Sequence, residues 1–191
     1  MLSKKSIFLL VILGSIVPIS FSFDDAVSSF FESIKIPLLE LAFSIMTNFA
    51  FVVLITLIIP SFLIYGMSKR HAANLWMVFV AAFVLNFILK LIVRRQRPLE
   101  TVSYPIINVL NYSFPSTHAI IVFSMLPMLV KYFPKLKYFW IVFACLIGFT
   151  RIYLSYHFIS DVLAGAFFGI IIGLAMLYFL ENYEKKNLGR S

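Results

Sequence analysis

Charge is what this 191-residue chain has least of: Asp, Glu, Lys and Arg make up 13% of it, against roughly 25% in a soluble domain. Acidic residues are the scarcer sign, eight against sixteen basic ones. With 62% hydrophobic residues and a mean hydropathy of +1.00, the deficit excludes an ordinary soluble domain, because a globule of this size cannot hide so much Leu, Ile, Phe and Val. The same excess of apolar residues excludes intrinsic disorder. Cysteine occurs once, as Cys145 within an apolar run, which excludes a disulfide framework and a thiolate cluster for zinc or iron–sulfur and leaves a packing role. No solenoid-type repeat and no low-complexity tract is visible. What remains is one integral-membrane domain over residues 1–191, with a flexible cytoplasmic tail expected at about 184–191.

The net charge of +8 does not point to nucleic acid, since the basic residues lie between apolar runs and not on a water-facing stripe. Stretches near the roughly 20 residues that cross a bilayer fall at 7–21, within 37–67, and at 72–91, 115–130, 138–154 and 158–180, six candidate spans in all. Ahead of the second, Val27, Phe30, Phe31 and Ile34 recur at i, i+3, i+4, i+7 opposite Asp24, Asp25, Ser28 and Glu32, a pattern for an amphipathic helix lying on the membrane. The expected fold is all-α, a polytopic bundle of six transmembrane helices plus this short interfacial helix. The first run follows Lys4 and Lys5, as in a cleaved signal peptide, but no A-x-A-like site comes after it, which favours retention as a membrane helix.

With the N-terminus in the cytoplasm, ten of the sixteen basic residues fall on that side and both termini are cytoplasmic. The other six are Lys35, Lys90, Arg94, Arg95, Arg97 and Arg151, and five of these flank or occupy helix ends on the outer side. Positive charge there has no topological use, and charge at a helix end in a membrane is a functional signal by default, with snorkelling as its bland counterpart.

Three clusters face that side. Lys90 is followed after six residues by Arg97-Pro98; proline disfavours helix at the residue before it, so the third span ends by Arg97 and leaves two cations within reach of one anion. For Arg94 and Arg95 a snorkelling rim weighs as much as a role. Pro115-Ser116-Thr117-His118 opens the fourth span with proline in the first turn, so the amides of Ser116, Thr117 and His118 are expected to point outward as an anion site. Thr150-Arg151 precedes His157 and Asp161, which at i and i+4 read as neighbours on one helical face, a base and its orienter. Arg151 and His157, six apart, would diverge on a continuous helix, so a break is expected around Tyr153–Tyr156. Gly165, Gly169 and Gly173 continue as a small-xxx-small ladder for close helix packing. No set of His, Asp and Glu has metal-ligand spacing, and the site's sign is wrong for a cation; neither metal nor cofactor is expected.

In order and spacing these three clusters resemble the signature of the type-2 phosphatidic acid phosphatase superfamily, from the third span to the sixth. The resemblance implies a membrane lipid phosphatase in which His157 attacks phosphorus, Asp161 fixes its tautomer, and His118 protonates the leaving oxygen. It implies that Lys90, Arg97, Ser116, Thr117 and Arg151 hold the phosphate, with no metal. The family usually has glycine where Thr117 stands and serine where Thr150 stands; threonine at 117 brings a branched side chain where glycine lets the backbone approach a phosphate. The implied substrate is a membrane lipid phosphate or diphosphate at the outer surface: polyprenyl diphosphate, phosphatidylglycerophosphate, phosphatidate or phosphorylated lipid A. Two other readings share parts of the pattern. Vanadium-dependent haloperoxidases carry a similar motif but are soluble, against a mean hydropathy of +1.00. A non-catalytic anionic-lipid-binding protein would need Arg97 and Arg151 but has no use for a His157–Asp161 pair.

Overall fold

The computed structural model describes residues 4–66, 68–99 and 108–188, and all regular structure among them is helical. The chain runs through α1 (Lys4–Ser20), a 3-10 turn (Phe21–Phe23), α2 (Asp24–Ser33), α3 (Pro37–Met46) and α4 (Phe49–Val53). It continues through a π-helical turn (Leu54–Ile58), α5 (Ile59–Tyr65), α6 (Lys69–Val93), α7 (Thr117–Tyr132), α8 (Lys137–Tyr153) and α9 (Ile159–Leu188). Among the described residues, Leu10–Ser33, Lys69–Val93, Pro134–Tyr153 and Ile159–Tyr183 are long and apolar enough to cross a membrane. The pair Pro37–Met46 and Phe49–Tyr65, bent by 49°, makes a fifth if it is taken as one span. α7, with 16 residues, is shorter than that length. α2 follows α1 directly through the 3-10 turn. Part of the long connection between α6 and α7, residues 100–107, and the end of the tail, 189–191, lie outside the described residues.

Local chemistry sets the boundaries. Proline opens α3 as Pro37, and Asn48 caps α4 by accepting the Ala50 amide at 3.0 Å. Pro60 has no amide to offer the preceding turn, and that turn is widened to π geometry. Ser68 Oγ accepts the His71 amide at 3.3 Å to start α6, which ends on Arg94 in the left-handed region at φ 50°. Between α8 and α9 the chain breaks at residues 154–158: the Arg151 carbonyl accepts both the Tyr156 and His157 amides, and Ser155 takes φ 54°.

α7 is the buried centre of the bundle. Its apolar side chains, with Leu57, Leu75, Val78 and Trp140, form the main core, and a smaller cluster of Val52, Val122, Ala144 and Ile147 lies beside it. Large apolar side chains such as Phe62, Leu38 and Ile92 are 81%, 74% and 71% exposed, the outward belt of a protein solvated by lipid. α7 packs against α9 along the glycine ladder, where a Cβ on Gly169 would stand 2.6 Å from the Ile120 carbonyl oxygen and one on Gly165 2.8 Å from the Ala119 Cβ. Backbone cannot give way as a side-chain tip can. Gly169→Val is therefore expected to cost about 1–3 kcal/mol or more, read as a lowered thermal midpoint of the detergent-solubilised protein. Gly66→Ala, with nothing within 4 Å of the new Cβ, serves as the neutral control.

Candidate active site

Where α6 and α8 end and α7 and α9 begin, a cavity of about 200 Å³ opens, lined by Arg97, Arg151, His118, His157 and Thr117 together with the apolar Phe49, Phe83 and Leu110. The structure thus brings three distant segments to one place. Arg97 is held by carbonyls: its Nε donates to Asn111 O at 3.0 Å, Nη2 to Leu110 O at 3.0 Å and Nη1 to Tyr156 O at 2.9 Å. Nη1 also lies 3.4 Å from His157 Nε2, so an anion on Arg97 would touch that nitrogen. Arg151, 5% exposed, donates to Thr47 Oγ1 at 3.2 Å and stacks its guanidinium 4.6 Å from the Tyr156 ring centroid.

His118 is the second residue of α7. Its ring is bonded to the Thr47 backbone carbonyl, so Nδ1 carries a proton, while Nε2 is buried with no protein partner. One residue in the bend between α3 and α4, Thr47, thereby holds both His118 and Arg151. The first intrahelical bond of α7 runs from the Ile120 amide to the Ser116 carbonyl, which leaves the amides of residues 117–119 at the positive end of the helix. The Ser116 amide, expected to point outward with them, is spent instead on the Asp161 carbonyl at 3.0 Å, a contact that ties the starts of α7 and α9 together. Ser116 Oγ is buried without a hydrogen-bond partner. Thr117 Oγ1 accepts from Asn86 Nδ2 on α6 at 3.1 Å, which turns its hydroxyl toward that helix. Lys90 is fully buried near the end of α6, and its Nζ donates to the Tyr112 carbonyl. Lys90, Ser116 and Asp161 are buried and are not among the residues that line the cavity.

The His157–Asp161 pair differs from the reading of its spacing. α9 begins at Ile159, so His157 belongs to the preceding turn and the two do not share a helical face. His157 Nδ1 lies 3.7 Å from Asp161 Oδ2. Between them sits Ser113: its hydroxyl donates to Asp161 Oδ2, and its oxygen lies 3.2 Å from His157 Nδ1. Asp161 Oδ2 also accepts the Phe158 amide at 2.9 Å, the backward arm of a capping box at the start of α9. The bonding is self-consistent with Nδ1–H donating to Ser113 and a bare Nε2 facing Arg97 and the cavity. Burial first, then the charges of Arg97, Arg151 and Lys90, hold the His157 imidazolium well below its ordinary range. The ring is neutral at neutral pH.

Sequence reasoning passed over Ser113 and Thr47, and weighed Arg95 as a rim residue. Arg95 instead donates to Asp161 Oδ1 at 3.0 Å and to Asp24 Oδ2 at 2.6 Å. Among the described residues no group of three His, Cys, Asp or Glu could hold a metal ion.

Residues 70–185 match the sequence profile of the PAP2 superfamily. The chain belongs to the PAP2 superfamily. Among curated relatives it is 29% identical to phosphatidylglycerophosphatase B of Bacillus subtilis over 182 residues, 86% of this chain and 85% of that one. It is also 29% identical to undecaprenyl-diphosphatase BcrC of the same organism over 118 residues, 60% of each. Among solved structures, a transmembrane PAP2-type phosphatidylglycerolphosphate phosphatase from Bacillus subtilis superimposes with a TM-score of 0.73 at 26% identity, covering 93% of this chain and 95% of that one. Aquifex aeolicus LpxE shares the fold, with a TM-score of 0.68 at 24% identity over 82% of this chain and 95% of that one. The PAP2 membership fixes the class: a membrane phosphatase built from apolar helices, of a family of phosphate-ester hydrolases.

Proposed function

We propose that this PAP2 protein hydrolyses a phosphate monoester or diphosphate of a membrane lipid through a covalent phosphohistidine on His157. The observation that carries the reading is the convergence of Arg97, Arg151, His118 and a neutral His157 on one cavity at the start of α7. A phosphate there meets two guanidiniums and helix-terminal amides, with Lys90 and Ser116 Oγ behind them, and these stabilise the charge on the equatorial oxygens of a pentacoordinate transition state. His157 Nε2 forms a bond to phosphorus as the bond to the leaving oxygen breaks, and His118 Nε2–H gives that oxygen its proton. Water then attacks phosphorus and passes its proton back to His118, and the P–N bond breaks to release phosphate. Asp161 supports the His157 tautomer through Ser113. The cations supply the charge stabilisation, so no metal is required.

The apolar residues of the lining, Phe49, Phe83 and Leu110, give the lipid chain a surface to enter along from the bilayer between helices. In this reading the chain forms one membrane domain with six spans: α1, the bent α3–α5 unit, α6, α7, α8 and α9. α2 lies at the outer interface, beside the site. α1 is retained, as its packing on α9 at Gly14 and Phe167 supports. Both termini are cytoplasmic, the tail after about residue 184 included, and the site faces outward. Reporter fusions after Lys69 and after Leu180 should both read cytoplasm; a periplasmic signal at either would overturn the orientation.

The candidate substrates are phosphatidylglycerophosphate, undecaprenyl diphosphate, phosphatidate and lipid A phosphate; the first is what the relative matched over most of both chains acts on by name. The test is phosphate release by the detergent-purified protein from a panel of these four lipids. Release from at least one, absent in His157→Ala, supports the reading, and none from any overturns it.

A further inference from the structure

Asp24 is a carboxylate that the proposed chemistry does not use, yet it is 2% exposed and fully engaged. Standing at the first residue of α2, it reaches across to the start of α9. Its Oδ1 accepts the Ser160 amide at 3.0 Å, and its Oδ2 accepts the Ser160 hydroxyl at 2.6 Å and Arg95 Nη2 at 2.6 Å. Arg95 carries the contact onward, its Nη1 donating to Ser160 Oγ at 2.6 Å and to Asp161 Oδ1 at 3.0 Å. The guanidinium is packed 4.0 Å from the Phe158 ring centroid and 5.0 Å from that of Phe21. Arg95 is therefore held through both terminal nitrogens and between two rings, and it is not among the residues that line the cavity, which Arg97, two residues later, does line. Asp161 has its first oxygen on Arg95 and its second on the Ser113 hydroxyl, whose oxygen meets His157 Nδ1.

Two carboxylates sharing one planar guanidinium is an arrangement that arginine alone can serve, because its fork offers two coplanar nitrogens to two acceptors at once. Asp161 is held at Oδ1 by Arg95 and at Oδ2 by the Phe158 amide, and the carboxylate so fixed orients the Ser113 hydroxyl, which with the Ser113 backbone carbonyl meets the His157 ring.

We infer that Arg95, clamped by Asp24, is a positioning residue for the nucleophile: it holds Asp161 so that Ser113 turns His157 Nε2 toward the phosphate. The inference rests on the reading of His157 given above. A clamp that merely joined α2 to α9 would act on stability; a positioning residue acts on the transition state and leaves ground-state binding alone.

The experiment uses the full chain in detergent and compares Arg95→Met, Arg95→Lys, Asp24→Asn and His157→Ala with the unaltered protein. It reads kcat, KM, and the inhibition constants of vanadate and inorganic phosphate. Vanadate adopts five-coordinate geometry by bonding the nucleophile, so its affinity reports where His157 Nε2 stands; inorganic phosphate binds without that bond. For Arg95→Met, kcat should fall about 10–100-fold and the vanadate constant should rise by a similar factor. KM and the phosphate constant should stay within about twofold. Arg95→Lys, which keeps the charge but not the fork, should regain part of the loss, and Asp24→Asn should shift the same two quantities by less. Both inhibition constants report folded molecules only, and the two milder variants are read in the same way, so the decision does not hang on how well Arg95→Met folds. A loss of kcat with the vanadate constant unmoved, or unaltered kinetics in Arg95→Met beside an inactive His157→Ala, overturns the positioning role alone. Turnover by His157→Ala overturns this inference together with the reading it rests on.

Discussion

His157→Ala is expected to lose turnover on every phosphate ester offered to it, by about 10⁴–10⁶-fold, whatever the leaving group. In the proposed mechanism one atom, Nε2, begins the reaction, and no neighbouring group can replace it. Arg97 and Arg151 are permanently protonated and have no lone pair to give. Lys90 Nζ is occupied with the Tyr112 carbonyl and does not line the cavity. His118 has its Nδ1 on the Thr47 carbonyl and in the proposed mechanism serves the leaving group. The check is twofold. Enzyme incubated with ³²P-labelled substrate and quenched in alkaline detergent should yield a labelled phosphoenzyme that is stable to base and released by later acid treatment, as a P–N bond is, and His157→Ala should yield none. The pH dependence of kcat/KM adds a second line. A nucleophile must be neutral, and burial with three nearby cations keeps His157 neutral to well below the ordinary imidazole pKa of 6.5. The limb of the profile that reports protonation of His157 should therefore fall well on the acid side of pH 6.5, with activity lost as pH drops through it. A limb at or above 6.5 that tracks His157 would contradict the packed, cation-flanked ring described here.

The parts of this site legible in the sequence are those whose signal is local. Lys90, Arg97, His118, Arg151 and His157 stand at the ends of apolar runs, where a charge or an imidazole has no topological use, and the proline at 98 and the break after Tyr153 place them by backbone constraints alone. The all-helical membrane class follows from hydropathy, and the close α7–α9 packing from the glycine spacing. What the spacing misread is informative. A step of four from His157 to Asp161 makes a helical pair only if the helix contains both; here the start of α9 falls between them, because Asp161 serves as its capping carboxylate. The partners that reach furthest left no local trace. Ser113 and Thr47 are small polar residues of the kind any helix end can carry, and their meaning comes from where the fold puts His157, His118 and Arg151. Asp24 reads as the polar face of an amphipathic helix; its contact with Ser160 spans 136 residues of sequence, a separation that no periodicity encodes. Arg95 and Arg97 are equivalent by composition and position, and only the turn of the chain after Arg94 sends one to the carboxylates and the other to the cavity.

His118→Ala should separate substrates by their leaving groups. In the unaltered protein the His118 ring is pinned through Nδ1–H to the Thr47 carbonyl, which leaves Nε2, buried and without a protein partner, directed at the cavity. With Nδ1 already carrying a proton, Nε2 can donate only as part of an imidazolium, so the acid form needs a second proton that the neutral, nucleophilic His157 must not have. The proposed mechanism thus needs the two rings in opposite protonation states in one cavity, and the protein gives each a different anchor: Thr47 for His118, Ser113 for His157. If His118 is the acid, its loss matters in proportion to the leaving oxygen's need for a proton. An alkyl or prenyl oxygen departs as a strong base and needs one, so turnover of a lipid monophosphate should fall by about 10²–10⁴-fold. An activated aryl phosphate such as p-nitrophenyl phosphate releases a weakly basic phenolate and should escape most of that loss, still forming the labelled phosphoenzyme on His157. Breakdown of that intermediate needs a base for the attacking water, and with the same imidazole gone, the variant should accumulate phosphoenzyme in a burst before a slow steady state. The measurement is the ratio of kcat/KM on the aryl and alkyl substrates, with vanadate inhibition confirming that the folded site is intact. Equal losses on both substrates, with no burst, would assign His118 to holding phosphate and would leave the leaving-group proton to come from water.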